Sequence, residues 1–317
     1  MSPRFLLVAV AAACAAIVAF GLLLPWTRVP AITLLCYGMA ALGLAVLMRA
    51  GQVSFGHAMY AAIGGYAGAF LARAHPGADA ALILLAGVAA SVLAGVLAAA
   101  FLSRYRGIFF GMLNLGLSMV LFSVIGKLYA FTGGTDGLRF ERPRVLGLVL
   151  DRGGFELALL LATLALALIV GWLVQRYFDS AAGQVMAAMR TNETRLEYIG
   201  LSARAALAEG YVLSSALVGL SGTLMALLQG LVTPESGYWL RSGEYVFIAI
   251  LGGAGHVIGA FLGAAVFELI KLGAAAWLTN AWQILLGATL IAVIFFAPAG
   301  IVGWLQRRRP VHAAERA

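Results

Sequence analysis

Long hydrophobic runs alternate with short polar stretches along almost the whole chain. The runs lie near residues 5–24, 29–48, 53–72, 80–102, 107–126, 154–175, 206–232, 244–270 and 277–297. Most of them approach the ~20 residues that an α-helix needs to cross the hydrocarbon core of a bilayer. The pattern predicts an all-α protein, a polytopic transmembrane helical bundle with about 8–10 membrane segments. We interpret the first run as a retained helix, because no small-residue cleavage site follows it.

Two glycine-rich stretches predict broken or re-entrant segments. "GQVSFGHAMYAAIGGYAGAF" (51–70) and "LGGAGHVIGAFLG" (251–263) each place a Gly-His pair before closely spaced glycines. Glycine weakens helices, although GxxxG spacing also serves close helix packing in lipid. In the second stretch a break also follows from the number of membrane crossings. The "QRRRP" tail reaches the side of the N-terminus only if the run at 244–270 enters, breaks and returns. The segment "TPESGYWLRSGE" (233–244) is then expected outside.

The composition indicates a membrane protein. It is 63% hydrophobic and only 11% charged, which is too little polar surface to cover a soluble protein of this length. The net charge of +8 comes from basic residues scattered between the apolar runs. This pattern favours loops that face anionic membrane lipid, and it argues against nucleic acid as a partner. The arginine bias places both termini in the cytoplasm, although the 127–153 connection carries basic residues on the opposite side.

No motif for catalysis or metal binding is present in the sequence. The four histidines have no second ligand at helical spacing, and Cys14 and Cys36 lie inside apolar runs where they serve packing. A P-loop is excluded because Lys127 and Lys271 are each followed by Leu. We therefore predict that the chain is not an enzyme and has no metal site. It would have no cofactor of its own, and any ATP and Mg would be bound by partner subunits.

Ionisable residues are rare in the deep parts of the runs, and this favours a narrow, mostly apolar path without fixed charge. An ion-coupled secondary transporter is the alternative class, and it would carry an ionisable residue near the midplane. The two candidates are Glu209 and Glu268. Both are expected near helix ends, and Glu268 has Lys271 at a spacing that permits an ion pair.

Five blocks in order give the chain a specific resemblance. They are the 51–70 stretch, "TGGTDGL" (132–138), "GQVMAAMRTNETRLEYIGLS" (183–202), "SALVGLSGTLMALLQGLVTPES" (215–236) and "ILGGAGHVIGAFLGAAVFELI" (250–270). Together they resemble the LivM-type permease subunits of branched-chain amino-acid ABC transporters. The resemblance implies one permease domain over residues 1–317 in the bacterial inner membrane. It also implies a second, LivH-like permease, two cytoplasmic ATPase subunits and a periplasmic substrate-binding protein. Related permeases move urea, short amides or aromatic acids, so the substrate stays open.

The polar residues of the first glycine-rich stretch are candidates for the translocation path. Gln52, Ser54 and His57 begin a membrane segment, and Asn114 stands in another. A polar side chain in hydrocarbon costs on the order of several kcal/mol unless it meets water, substrate or a polar partner. Each of the four therefore either lines the path or forms hydrogen bonds between helices.

Residues 176–205 form the candidate cytoplasmic coupling loop. Ser180 is expected to cap a helix on which Val185, Met186 and Met189 form an apolar stripe, with Arg190 and Glu193 beside it and Gly200 ending the segment. We expect the stripe to fill a groove on a partner ATPase. The alternative is an amphipathic helix lying on the membrane surface.

Overall fold

The computed structural model describes residues 3–277, 282–296 and 300–307, and nearly all of them are helical. The helices are α1 (Pro3–Leu23), α2 (Arg28–Arg49), α3 (Ala58–Ala74), α4 (Ala80–Leu102), α5 (Gly107–Lys127), α6 (Tyr129–Thr132), α7 (Arg152–Asp179), α8 (Ala181–Met189), α9 (Glu193–Tyr198), α10 (Ala203–Gln229), α11 (Trp239–Gly252), α12 (Val257–Trp277), α13 (Trp282–Phe296) and α14 (Gly300–Arg307). Two short strands, β1 (Leu138–Arg139) and β2 (Leu231–Val232), pair antiparallel. The predicted all-α architecture is confirmed.

Fewer helices are long enough to cross a membrane than the hydrophobic runs suggest. By length and composition five qualify in the described part of the chain, and six if the bent pair α11 and α12 counts as one span. The predicted 8–10 segments include broken and shorter ones, which this count of long helices leaves out. Among them are α3 and α11, which have only 17 and 14 residues. Part of each hydrophobic run is irregular backbone instead of helix.

Helices α2 and α10 form the core of the bundle, and α4 and α5 lie at its periphery. The most apolar window of α2 is 83% buried, whereas that of α4 is only 22% buried. Small residues allow α10 to approach its neighbours closely. A side chain at Gly222 would overlap the backbone of Ala61 in α3, and one at Gly219 would overlap Ser91 in α4. Such contacts are typical of helix packing in lipid.

The helices alternate in direction and define two ends of the bundle. At the first, which we call the loop end, residues 49–52, 103–107 and 179–203 come together. There Arg49 Nη2 donates to the Phe178 carbonyl at 3.2 Å. At the second, the strand end, residues 74–80, 128–151 and 230–233 meet around the β1–β2 pair. The long helices α2, α4, α5, α7 and α10 connect the two ends.

The chain turns back between α11 and α12, as the parity argument predicts. The two helices meet at 115°, and α11 ends at Gly252 with Gly253 at φ +99°. Their backbones then pack closely, because side chains at Gly259 and Gly263 would overlap the backbone of α11. Further along, the Phe267 ring of α12 contacts the Tyr37 ring near the middle of α2. The predicted break at these glycines is confirmed.

Candidate functional site

Helix α3 begins in the middle of the bundle instead of at an end. Its first turn lies beside the midpoint of α4, where Ser91 Oγ donates to the Tyr60 carbonyl at 3.1 Å. The segment that leads to it, residues 50–57, is irregular and rises from the loop end along α5. Gly56 is packed so closely on α5 that a side chain there would overlap the Asn114 carbonyl. The sequence prediction of a broken membrane segment at 51–70 therefore matches a half-length helix with a buried lead-in.

Helix α11 also begins near the middle of the bundle, approached from the strand end by residues 230–238. Ser118, midway along α5, donates its hydroxyl to the Gly237 carbonyl at 2.8 Å. Ser242, in the first turn of α11, accepts a 2.8 Å hydrogen bond from the Ala58 amide, which opens α3. The N-termini of two half-length helices thus meet at the bundle centre. Paired discontinuous helices of this kind build the central sites of many transporters.

This placement corrects the expectation that residues 233–244 lie outside. Pro234, Gly237 and Ser242 are buried, whereas Glu235, Trp239 and Leu240 stay exposed. Gly237 packs against Ala62 of α3. The polar letters of "TPESGYWLRSGE" are typical of an exposed loop, but here they enter the bundle because α3 covers only part of its thickness and leaves room for them. Irregular backbone is tolerated at that depth where protein groups satisfy it.

The four predicted path residues are buried, and three of them lie close together. Gln52, Ser54, His57 and Asn114 have relative exposures of 8%, 1%, 0% and 0%. Ser54 Oγ lies 2.6 Å from His57 Nδ1. Gln52 lies apart at the loop end, where its Oε1 accepts from the Gly107 amide at 2.7 Å. None of the four lines a described cavity, so their place in the path stays a prediction.

Two tyrosines that no sequence pattern singles out connect these residues. Tyr211 of α10 donates to Asn114 Oδ1 at 2.6 Å and accepts from the Tyr60 hydroxyl at 2.9 Å. The His57 ring stands edge-on to both tyrosine rings, with centroid distances of 5.3 and 4.8 Å. For Asn114 the alternative of interhelical hydrogen bonding is therefore realised in this structure. Tyrosine in an apolar helix is too common to indicate such a network from sequence.

A second polar cluster lies at the same depth, and of its charged members the sequence indicated only Glu268 and Lys271. Arg241 Nη1 donates to the Tyr37 hydroxyl at 2.7 Å and to Glu244 Oε2 at 2.8 Å. Lys271 Nζ lies 5.5 Å from the Tyr37 ring centroid. Glu268 is only 7% exposed, and no described residue bonds its Oε2. The expectation of deep segments almost free of ionisable residues is wrong here. Helix α11 begins inside the bundle with Arg241 and Glu244, and the turn after it carries α12 back towards the middle of α2.

Two cavities of similar size lie among the described residues at positions that bear on function. The first, of about 270 Å³, lies between α5 and the start of α11; its lining residues are Phe122, Glu235, Tyr238, Leu240, Arg241 and Glu244. The second, of about 250 Å³, lies at the strand end and is lined by basic residues, among them Arg73, Arg139 and Arg142. The first cavity brings both signs of charge together beside the bundle centre.

The predicted coupling loop folds as two short capped helices. Ser180 Oγ accepts from the Gly183 amide at the start of α8, which confirms the predicted cap. Asn192 caps α9 in the same way through the Arg195 amide. Gly200 follows with φ +82°, a conformation that side chains rarely adopt. The segment therefore ends in the glycine turn that the sequence predicts.

The apolar stripe of α8 is already covered by the chain itself. Met186 and Met189 are 0% and 7% exposed, and Met186 packs on Gly210 of α10. Val185 is half-buried. The stripe therefore anchors α8 to the bundle and does not present an open face to a partner. The sequence pattern could not reveal this, because one amphipathic face can bury itself against its own chain or another.

Ion pairing fixes the coupling loop to two neighbouring segments. Arg106, which precedes α5, donates from Nε and Nη2 to both oxygens of Glu193 at distances from 2.7 to 3.0 Å. Arg190 passes next to Gly51, the first residue after the turn that ends α2. The loop thus contacts the lead-in of α3 on one side and the start of α5 on the other.

The open part of the coupling loop lies at the end of α9 and in the turn that follows it. Tyr198 and Ile199 are 88% and 67% exposed. Leu201 and the charged side chains of Arg190 and Arg195 are exposed as well. This is an apolar patch bordered by charge at the tip of the loop end.

The chain is similar to known membrane permeases. The family model described as "Branched-chain amino acid transport system / permease component" matches residues 30–294. The chain belongs to this family. It is 25% identical to the high-affinity branched-chain amino acid transport system permease protein LivM of Escherichia coli strain K12 over 288 residues, which cover 84% of this chain and 67% of LivM. The LivM of Salmonella typhimurium is 26% identical over the same length.

A shorter stretch of this permease is also similar to LivH permeases. The LivH permease of Escherichia coli strain K12 is 27% identical over 145 residues, 45% of this chain and 44% of LivH. No solved structure matches the chain. The permease is thus a multi-pass membrane protein whose relatives are permease components of transport systems and not enzymes. The described residues contain no cluster of His, Cys, Asp or Glu that could hold a metal ion.

Proposed function

We propose that this permease is one of two membrane subunits of an ATP-driven importer for branched-chain or related amino acids. The family match over residues 30–294 is the observation that carries the proposal. The partners would be a second, LivH-like permease, two cytoplasmic ATPases that bind ATP and Mg, and a periplasmic binding protein. The whole chain would act as a single permease domain in the bacterial inner membrane.

In this proposal the loop end faces the cytoplasm together with both termini. It carries Arg49, Arg104, Arg106, Arg190, Arg195 and Arg204, an arginine excess that favours the cytoplasmic side. The strand end then faces the periplasm. Its basic cavity, near Arg73, Arg139 and Arg142, is a surface on which an acidic face of the binding protein could dock. This gives a role to the arginines of the 127–153 connection that oppose the general charge bias.

The ATPase would dock on the open part of the coupling loop. Because Met186 and Met189 are buried in the permease itself, the proposed contact moves to Tyr198, Ile199 and Leu201. Exposed aromatic and aliphatic side chains bordered by charge are suited to a protein partner. Movement of the docked loop would reach the bundle through the Arg106–Glu193 ion pair and the contact between Arg190 and Gly51.

Ion-coupled secondary transport is the competing class, and one observation favours it. Glu268 and Arg241 bring ionisable groups to the depth at which ion-coupled carriers place their coupling sites. Family membership supports the ATP-driven class instead. The two classes differ in their energy source, so they are separable by experiment.

The proposed function is tested by uptake into proteoliposomes that contain the permease with its membrane partner and ATPases. Radiolabelled leucine and the binding protein are supplied outside, and ATP inside. We expect uptake that requires ATP and persists when an ionophore collapses the proton gradient. Uptake that needs the gradient and not ATP would overturn the ATP-driven class. Uptake of urea or an aromatic acid, but not of leucine, would correct the substrate and leave the class intact.

A further inference from the structure

The cavity between α5 and the start of α11 combines features that an apolar passage would lack. Its lining carries one arginine and two glutamates, Arg241, Glu235 and Glu244, beside the aromatic rings of Phe122 and Tyr238. Charged side chains at membrane depth are costly, so they mark functional sites more often than packing positions. The cavity also lies at the start of α11, next in sequence to Ser242, which bonds the first amide of α3.

Arg241 is held in place by two hydrogen bonds and keeps further donors for a ligand. Both recorded bonds, to the Tyr37 hydroxyl and to Glu244, come from the single nitrogen Nη1. The guanidinium has five N–H donors in a fixed fork, so Nε and Nη2 remain able to bind a carboxylate. No side chain caps α11, so its first amides add positive potential at the same place. Within this lining, the remaining donors of Arg241 and these amides are therefore the groups that can receive a carboxylate.

The two glutamates provide the opposite charge a short distance away. Glu244 is paired with Arg241 and its side chain is 16% exposed, whereas Glu235 is exposed at the rim of the cavity. One arginine neutralises only one of the two carboxylates, so the lining retains an unbalanced negative charge that suits an ammonium group. Leu240 and the Phe122 and Tyr238 rings, whose centroids are 4.9 Å apart, offer apolar contact.

We propose that this pocket is a substrate site inside the permease for free amino acids with an apolar side chain. Arg241 and the start of α11 bind the α-carboxylate, and Glu235 and Glu244 bind the α-ammonium group. The apolar side chain lies against Phe122 and Leu240. At about 270 Å³ the cavity has the size of a site for a small metabolite. Urea carries no charge and an aromatic acid carries only a negative one, so neither would use both halves of the pocket. The inference rests on the proposed import function and adds the charge pattern of the substrate.

Charge-removing variants test the pocket in the reconstituted importer. We expect Arg241→Gln to lower leucine uptake about tenfold or more, because a charge-assisted hydrogen bond to the carboxylate is lost. Glu235→Gln should lower it severalfold. Glu156→Gln is the matched control: it breaks the ion pair of Glu156 with Arg152, one helical turn apart in α7, and should leave uptake at the wild-type level. Excess leucine should compete for uptake, whereas leucinamide and N-acetylleucine, each lacking one charge, should not.

Several outcomes separate the pocket from the proposed function. If the wild-type complex imports no amino acid, the proposed function fails before any variant is read. If it imports leucine and both pocket variants stay within about twofold of wild type, the pocket assignment alone is overturned. Complex assembly and ATP hydrolysis stimulated by the binding protein are measured in parallel, because a docking defect would lower both uptake and stimulation. Should Arg241→Gln fail to assemble, Glu235→Gln decides the matter, since its side chain is exposed and its loss should not disturb folding.

Discussion

The bundle centre and the coupling loop both interrupt long helices, but they satisfy the interrupted backbone differently. At the centre, irregular residues 50–57 and 230–238 are enclosed by the chain, and Ser118 and Ser242 supply the missing hydrogen bonds. In the coupling loop, the helix starts are capped locally by Ser180 and Asn192. Tyr198 and Ile199 stay exposed. The backbone at the two helix starts of the first region is thus bonded within one chain, whereas the second region presents an exposed apolar surface.

The largest expected effect on stability comes from substituting a buried apolar residue of the coupling loop instead of an exposed one. Met186→Asp should prevent stable folding of the permease, because it places an unpaired carboxylate at a fully buried position at a cost of about several kcal/mol. Tyr198→Ala should leave the fold intact and weaken ATPase binding. Thermal unfolding of the purified permease and co-purification of the ATPase measure the two effects. A folded Met186→Asp permease that loses only the ATPase would restore the stripe as the docking surface.

The close approach of Gly56 to α5 gives the next largest effect. Gly56→Ala should destabilise the permease by about 1–3 kcal/mol, since its methyl group would overlap the Asn114 carbonyl and force residues 50–57 away from α5. Gly116→Ala is the matched control within α5, because nothing lies near its added methyl group. Denaturation midpoints of the two variants in detergent provide the measurement. Equal midpoints would mean that the lead-in to α3 is not packed as described.

The ion pair between Arg106 and Glu193 gives the smallest effect. Both side chains are about one-third exposed, so the pair contributes only about 0.5–1 kcal/mol to stability. If it transmits movement of the coupling loop, Glu193→Gln should reduce the leucine imported per ATP hydrolysed about twofold. Glu197→Gln, which alters an exposed side chain on the same helix, should not reduce it. An unchanged ratio in Glu193→Gln would remove this pair from the coupling route.

Short-range patterns in the sequence predicted the long helices and their ends. They predicted less of the packing at the bundle centre. Hydrophobic run length predicted the long helices, and parity with the glycines at 252–255 predicted the turn after α11. The Ser180 cap follows from local chemistry. The depth of residues 233–244 could not be predicted, because their polar letters have the composition of an exposed loop. Burial of this segment depends on α3 being short, which is a property of the packed bundle.

The hydrogen-bond partners and depth of individual polar residues were equally hard to predict. Asn114 was selected for its polarity, but its partner Tyr211 is 97 positions away in the sequence. No spacing rule connects two such residues. Arg241 was overlooked because it was counted among residues outside the membrane. The signal that could have revealed it is the "YWL" triplet before it, which places three large apolar side chains directly beside a charge.

The central claim, that substrate passes where the two half-length helices meet, is tested most directly by cysteine accessibility. Single cysteines replace Leu240 and Ser54 in a permease with Cys14→Ser and Cys36→Ala, and the assembled importer is treated with a membrane-impermeant thiol reagent. We predict that Leu240→Cys reacts from the strand end without nucleotide and is protected by leucine. We predict that Ser54→Cys reacts from the loop end in a different nucleotide state. Failure of both cysteines to react in every state, while Val149→Cys at an 80% exposed position in the same background reacts, would contradict the account.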